Sequence, residues 1–556
     1  FLTVGPTSTS TDRIGIADWV LSGASVACGI YFFTIRADLA NHITLLRPLP
    51  GDQLFFGTLL LALTIEAARR TTGIGLTIVL LIFLAYNLWG HLIPPPLGHG
   101  FIDFGSFVDV LMYTTDGVFG VPIQVAASYV FLFVMFGSVL SHAGGAEFMF
   151  QLAAALTGRS PGGPAKIAVI SSGMYGMISG SPTSDVATGA VEVAASTGGA
   201  AMPPVMGSAA FILAEYTGID YRNVVLAALI PAILYYIGVY LQVHFRAVRQ
   251  GLQGVKDVDP VQETLKTGWV FVIPLVVITV ALLMGYTPTY VAVYGTVALV
   301  VASLLTKRTR MTPRKMLEGL GEATIRMLPV AGACAAAGLI MGGLTMTGLA
   351  LKTSSLVLML SGSGPFVVLL LAAGIAILLG LGMPTPSAYI LAAVLVGPAF
   401  TVVGLPLLAS NMFLLYFALL SALTPPIAVA AYTASAIADE DPMKIAVTSV
   451  KLAAIGFILP FFFVWNEALL AQGSALEIGV AALGGIVATT LLALALEVEL
   501  KPIVRVVILA AAAAALSPYL FLSIPVTVLA IALGIWRRTR KLATDPAHQE
   551  RTISQR

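Results

Sequence analysis

Ser179-Gly-Ser-Pro-Thr-Ser-Asp185 and, shortly after it, Ser196-Thr-Gly-Gly-Ala-Ala-Met-Pro-Pro204 decide how this chain reads. Both are Gly-, Ser- and Pro-rich breaks set between strongly apolar flanks, 167–177 before and 205–214 after. A water-soluble domain keeps such clusters at its surface. Non-helical backbone at membrane depth persists only where protein buries it or a polar cavity is lined by it. These breaks therefore mark a site rather than a turn.

The pattern occurs twice. Gly380-Leu-Gly-Met-Pro-Thr-Pro386 matches the first piece, and Ser421-Ala-Leu-Thr-Pro-Pro426 matches the second. Met202-Pro-Pro-Val-Met-Gly207 reads against Thr424-Pro-Pro-Ile-Ala-Val429. Paired, interrupted apolar segments in corresponding halves point to the binding site of a secondary transporter. The alternative is a pair of proline-kinked packing helices, which four interruptions in matched order argue against. The expected fold is an all-α polytopic membrane protein with inverted repeats. Each repeat holds a re-entrant hairpin and a discontinuous helix.

Composition agrees. Of 556 residues, 58% are hydrophobic and only 10% charged, with a mean hydropathy of +0.95. Soluble domains carry about 25% charged residues. A net charge of +2 and no basic patch give no sign of nucleic-acid binding. Cys28 and Cys334 lie far apart in apolar sequence and read as small buried residues. No Gly-Lys dipeptide occurs, hence no phosphate-binding loop for ATP. HExxH, clustered His/Cys and GxSxG are missing too, so an enzyme is not expected. A channel would not need two matched hairpins. The chain opens at Phe1 and reads as trimmed, with room for a short leader before it.

Residues 1–17 read as a loose polar terminus, followed by spans at 19–35, 54–67 and 74–89. The stretch 101–113, with Asp103 and Asp109, reads either as an interfacial amphipathic arm or as a loop with one helical turn. Further spans are expected at 121–140, 223–243, 269–284 and 290–305. In the second half they fall at 327–343, 366–381, 387–396, 406–420 and 445–464, with two or three more helices after 478. Residues 1–118 form a front block. Residues 119–466 carry the two repeats, 119–243 and 268–466, and 467–556 add C-terminal helices. Two spans separate the basic stretches 244–266 and 307–315, which places both on one side; the positive-inside rule makes that side the cytoplasm. Arg537, Arg538, Arg540 and Lys541 place the C-terminus there as well.

Helix starts at such breaks carry partial positive charge and favour a carboxylate. Unwound carbonyls and hydroxyls suit Na⁺, a hard cation that prefers oxygen. Substrate contacts are assigned to Ser181, Pro182, Thr183, Thr197, Gly198, Thr385 and Thr424. Coupling-ion contacts are assigned to Ser179, Gly180, Ser196, Gly199, Gly382 and Ser421. Any one of these hydroxyls has an equal alternative, bonding back to its own helix. Asp185, close to a hairpin tip, either carries a proton or cation or caps the returning arm. Glu192 falls in the first turn of the broken helix, Glu215 and Asp220 read as solvated helix ends, and His142 reads as structural.

At these residues the chain resembles the tripartite ATP-independent periplasmic (TRAP) transporters, and most closely the TAXI branch with fused small and large membrane subunits. The carrying stretches are Gly162-Gly-Pro-Ala-Lys166, Ile178-Ser-Gly-Ser-Pro182, Gly189-Ala-Val-Glu-Val-Ala-Ala-Ser-Thr-Gly-Gly199, Met202-Pro-Pro-Val-Met-Gly207, Ala214-Glu215, Gly380-Leu-Gly-Met-Pro384 and Leu423-Thr-Pro-Pro426. The resemblance implies a multi-pass permease of the bacterial inner membrane that takes a small organic acid, a dicarboxylate or glutamate-like, from a periplasmic binding protein. It implies ion-gradient coupling, Na⁺ or H⁺, and an elevator movement against a scaffold stiffened by the front block. A monomer among membrane lipids suits that scaffold. The competing reading is an inverted-repeat carboxylate carrier that acts without a binding protein.

The two halves differ in one respect. Pro384 and Pro425 stand 41 positions apart, Pro182 and Pro203 only 21. An arm like 387–396 has no counterpart in the first half. Either the protein has lost that arm or the arm is missing from the sequence as read. A hairpin cannot close without its second arm, which favours the latter.

Asp185→Asn tests which ion drives transport. Under proton coupling the variant loses gradient-driven accumulation and keeps substrate exchange. Under Na⁺ coupling, the favoured case, Na⁺ dependence weakens and the pH profile stays nearly intact. Wild-type accumulation under both gradients leaves Asp185 as a helix cap only.

Overall fold

A computed structural model of the chain describes residues 1, 3–4, 14–179, 189–306, 308–362, 364–519 and 522–530; side chains at 40, 178, 179 and 361 are not described. Among the described residues the structure is all helical, without strands. Nine helices there are long and apolar enough to cross a membrane, ten if one bent pair counts as a span. The polytopic α-helical architecture expected from the sequence is thus present.

The front block contains α1 (Ile16–Thr34), α2 (Arg36–Ala40), α3 (Gly51–Thr72), α4 (Ile74–Trp89) and α5 (Phe104–Tyr113). The α5 segment is neither an interfacial arm nor a loop. Asp103 caps it by accepting from the Ser106 amide at 3.1 Å, and Phe107 to Tyr113 are all buried. Its buried Asp109 accepts from the Leu45 amide at 3.0 Å and lies 2.6 Å from His42 Nε2, which pins the preceding loop. Those two bonds are why an acidic residue sits inside the packing here.

Helices α6 (Val121–Val125) and α7 (Phe131–Ala143) form one span through a π-helical turn at Ala126–Val130. There follow α8 (Gly145–Thr157), α9 (Gly163–Ser179), α10 (Gly189–Gly199), α11 (Ser208–Thr217) and α12 (Tyr221–Arg249). Asp220 caps α12 through the Arg222 amide, and Glu215 is an exposed helix end that accepts from the Tyr129 hydroxyl, both as read from sequence. Helices α13 (Val261–Gly268), α14 (Val272–Leu283) and α15 (Pro288–Ser303) make the hairpin between the two basic stretches.

Helix α16 (Pro313–Thr347) is far longer than the expected 327–343. Thr312 caps it and Pro313 opens it, so its polar first turns continue the apolar part without interruption. Small residues let it pack closely: a Cβ on Gly343 would meet Asn87 at 2.3 Å, and one on Gly332 would meet Thr71 at 2.1 Å. The front block is therefore seated directly on α16.

The second half continues with α17 (Leu349–Ser361), α18 (Pro365–Gly380), α19 (Thr385–Val402), α20 (Leu407–Ser421), α21 (Val429–Ala438), α22 (Pro442–Leu452) and α23 (Ala454–Phe463). The expected span 445–464 is bent by 40° between α22 and α23. Helices α24 (Ala475–Glu497) and α25 (Pro502–Leu516) follow, and residues 522–530 are helical as well. Buried Glu497 takes Arg246 at 2.7 Å, which clamps α24 to the end of α12.

The stretch 250–260 packs on the loop before α9: the Val255 amide donates to the Gly158 carbonyl at 2.8 Å, and Arg159 donates to the Val258 carbonyl at 2.9 Å. Gly254 is wedged there, its missing Cβ 2.4 Å from the Arg159 carbonyl, whereas Gln253 is exposed. A cysteine at Gln253 should resist membrane-impermeant maleimide in intact cells and react after permeabilisation. Strong labelling before permeabilisation would overturn the assignment of this end to the cytoplasm.

Candidate functional site

Two Pro-Pro breaks share one local construction. In the first, α10 ends at Gly199 and the chain is non-helical until α11; the Gly207 amide closes the loop on the Ala200 carbonyl at 2.7 Å. In the second, α20 ends at Ser421, and the Ala430 amide closes on the Ala422 carbonyl at 3.2 Å. Positive φ falls two residues after the second proline in both, at Met206 (+61°) and Ala428 (+34°), and both Pro-Pro bonds are cis. The repeat seen in the sequence is therefore repeated in backbone geometry.

The other second-half break, between α18 and α19, turns at Gly382, whose φ of +75° suits only glycine comfortably. Gly382 also receives the start of α4, since a Cβ on Gly75 would stand 3.0 Å from its carbonyl. Its first-half counterpart is Ser179 to Asp185, and residues 180–188 are not described. Gly180, Ser181, Pro182, Thr183 and Asp185 thus lie outside the described residues, and Ser179 is described only as the end of α9.

A cavity of about 570 Å³ lies between the two halves. Its lining brings together Ser196 and Thr197 of α10 with Gly382, Pro384 and Thr385 of the second half, residues that sequence reasoning had singled out. Among the helix starts that line it are three from the breaks: Ser208 and Ala209 of α11, Thr385 and Pro386 of α19, and Val429 and Ala430 of α21. The charged residues lining it, among those described, are Glu192 and Arg326. Glu192 accepts from Ser172 Oγ at 2.9 Å.

Other expected residues lie elsewhere. Gly198 packs on Tyr235, with 2.3 Å between its missing Cβ and the ring, and Gly199 packs on Gly176 of α9. Both serve close helix packing and do not line the cavity. Ser421 and Thr424 do not line it either. Their hydroxyls donate to their own helix, to the Ala418 carbonyl at 2.8 Å and the Leu420 carbonyl at 2.7 Å. Thr197 likewise donates to the Val193 carbonyl at 2.7 Å. The hydroxyl hydrogen is used in each case, and the oxygen lone pairs are what a cation would take.

Arg326 was missed by sequence reasoning, although a signal existed. It is the last charge before a run of apolar and small residues that extends to Lys352, and ionisable residues in such runs are functional by default. His142, read as structural, lies 3.3 Å from Glu322, which in turn holds Arg326 at 2.5 Å.

A family model for the DctM component of tripartite ATP-independent periplasmic transporters matches residues 59–190 and 187–478. The chain belongs to this family. It is a family of transporter permeases, not of enzymes, and its members work with a periplasmic binding protein. The two matched stretches overlap at 187–190. No curated protein matches the chain.

Tyr235 and Tyr236 hold α10 by donating to the carbonyls of Ala194 and Ala195, each at 2.6 Å. Gly198→Ala drives a methyl into Tyr235 and should cost about 1–3 kcal/mol, as overpacking does. Thermal unfolding of the purified permease reads this, with Gly374→Ala, where nothing lies within 4 Å, as the neutral control.

Proposed function

We propose that this DctM-family permease is an ion-driven importer of a small organic acid. The acid, a dicarboxylate or a glutamate-like molecule, is delivered by a periplasmic binding protein. One observation carries the reading: three helix starts and a guanidinium line a single cavity between two matched breaks. Helix starts and Arg side chains both favour a carboxylate. The lone pairs of Ser196 and Thr197 and the backbone at Gly382 supply oxygens for a coupling cation, and Na⁺ is the ion this set suits. The residues of 180–188, Ser181 and Asp185 among them, complete the proposed site.

The mechanism we propose moves the hairpin-bearing elements past a scaffold that includes the front block and α16 and whose Thr72, Arg326 and Val330 form one wall of the cavity. The close seating of α3 and α4 on α16 supports such a scaffold. Residues 1–118 then act as a fused small subunit, as in the TAXI branch, and the protein sits in the bacterial inner membrane as a monomer.

Proteoliposomes containing the permease test this reading. With an outward-in Na⁺ gradient and the cognate binding protein, labelled succinate or glutamate should accumulate, and the Na⁺ ionophore monensin should abolish accumulation. Equal uptake without the binding protein would favour the carrier that works alone.

A further inference from the structure

The cavity's guanidinium is already occupied. Arg326 Nη2 holds Glu322 Oε1 at 2.5 Å, one helical turn back on α16, and Nη1 lies 3.4 Å from the Tyr175 hydroxyl of α9. The other oxygen of Glu322, Oε2, faces α7, 3.3 Å from both Ser138 Oγ and His142 Nδ1. Ser141 Oγ completes the group, 3.0 Å from Tyr175. Arg326 and Glu322 are each about one-third exposed, at 36% and 34%, and Arg326 lines the cavity.

Several other charged groups near α16 are committed elsewhere. Glu318 pairs with Arg314, Arg69 and Arg70 of α3 pair with Glu66, and Lys352 of α17 donates to the Gly98 and Thr347 carbonyls. Asp109 of α5 is bound to His42.

We propose that Arg326 receives the substrate's carboxylate and that Glu322 is the internal carboxylate it displaces. Oε2 already lies against Ser138 and His142, which also reach the Gly319 carbonyl at 2.9 Å and the Ser138 carbonyl at 3.0 Å, and turning these donors to a freed Glu322 gives it a seat. Exchange at the guanidinium replaces one carboxylate with another, so Arg326 is never left as an unpaired charge at membrane depth. That is the costly state a bare guanidinium would otherwise pass through. A neutral isostere cannot make the exchange, because Glu322 competes better than an amide for a cation. Arg326 thereby selects acids. It also links cavity occupancy to the contact between α16 and α7, since a displaced Glu322 binds α7 alone.

This inference rests on the importer reading but is tested without transport. Purified permease in nanodiscs is treated with phenylglyoxal, and modification of the Arg326 peptide is followed by mass spectrometry. Formate is the probe, as the smallest carboxylate; formamide is its neutral counterpart; chloride keeps the ionic strength constant. Formate should slow modification of Arg326 and formamide should not. In Glu322→Gln, unprotected Arg326 should react about fivefold faster, the scale of a partly exposed ion pair. Formate should then protect at about one-fifth of the wild-type concentration, because its competitor is gone. Equal effects of formate and formamide on the wild type overturn the proposal, with no variant needed. So does an unchanged formate requirement in Glu322→Gln. Either result leaves the uptake measurement standing, so the two readings fail separately.

Discussion

Every peptide group in a membrane-embedded segment must find a partner inside the protein, because the surrounding hydrocarbon offers none. The breaks in this chain interrupt helical pairing between apolar flanks. The structure meets the requirement locally. Each Pro-Pro loop is closed by an amide reaching back across the loop, Gly207 to Ala200 and Ala430 to Ala422. Tyr221 donates to the Pro204 and Val205 carbonyls, and Tyr235 and Tyr236 to those of Ala194 and Ala195. The long helix α12 is thus a rack of hydroxyls against which broken backbone is held. Once so held, the helix starts at the breaks stay fixed in direction, and their partial charges can act on a common cavity.

Charge follows the same logic. The buried carboxylates Asp18, Asp109 and Glu497 each have a basic group close by, Arg70 at 2.6 Å, His42 at 2.6 Å and Arg246 at 2.7 Å. These pairs fasten elements: α1 to α3, the loop before α3 to α5, and α12 to α24. Lys166 differs. It is fully buried, and its ammonium donates to Ser160 and approaches His244 Nδ1 at 2.8 Å, over the Tyr240 ring. Such neutral partners suit a cation that holds the loop before α9 in register. The cavity charges are more open to exchange, because they face space rather than a sealed contact.

The breaks were legible in the sequence because proline, glycine and hydroxyl residues inside apolar runs have few other uses. The repeat was legible for the same reason, and the positive φ at Met206 and Ala428 shows that the Pro-Pro alignment was correct to the residue. What could not be read was which residues near a break face the cavity. Gly198 and Gly199 are one turn from Ser196, yet they point at Tyr235 and Gly176. Composition cannot tell a glycine that exposes a carbonyl from one that admits a neighbouring ring. The length of α16 was hidden because a hydropathy window stops at Arg326, while the helix starts thirteen residues earlier, at Pro313. The α5 segment misled because Asp103 and Asp109 look alike in sequence, yet one caps the helix at its exposed end and the other is buried beneath a loop.

The unequal halves have a structural consequence. Gly380 of α18 meets Ser421 of α20, so the ends of these helices lie together and the two run parallel; α19 carries the chain back between them. In the first half Gly176 of α9 meets Gly199 of α10, again end to end, and Ser172 meets Glu192 further back. Helix α9 therefore answers to α18 and α10 to α20, and among the described residues no helix answers to α19. Nine residues, 180–188, join the parallel pair. That is half the length of the 18-residue α19. The effect shows on the far side of the site. Helix α11 packs on α19 and buries Ala209 to Ala214 without a gap. Its counterpart α21 should pack on the missing arm. Instead it buries Ala431 alone and leaves Val429, Tyr432 and Ile437 exposed. Val429, Ala430 and Ile437 line the cavity, so the face of α21 that no helix covers is a wall of the candidate site.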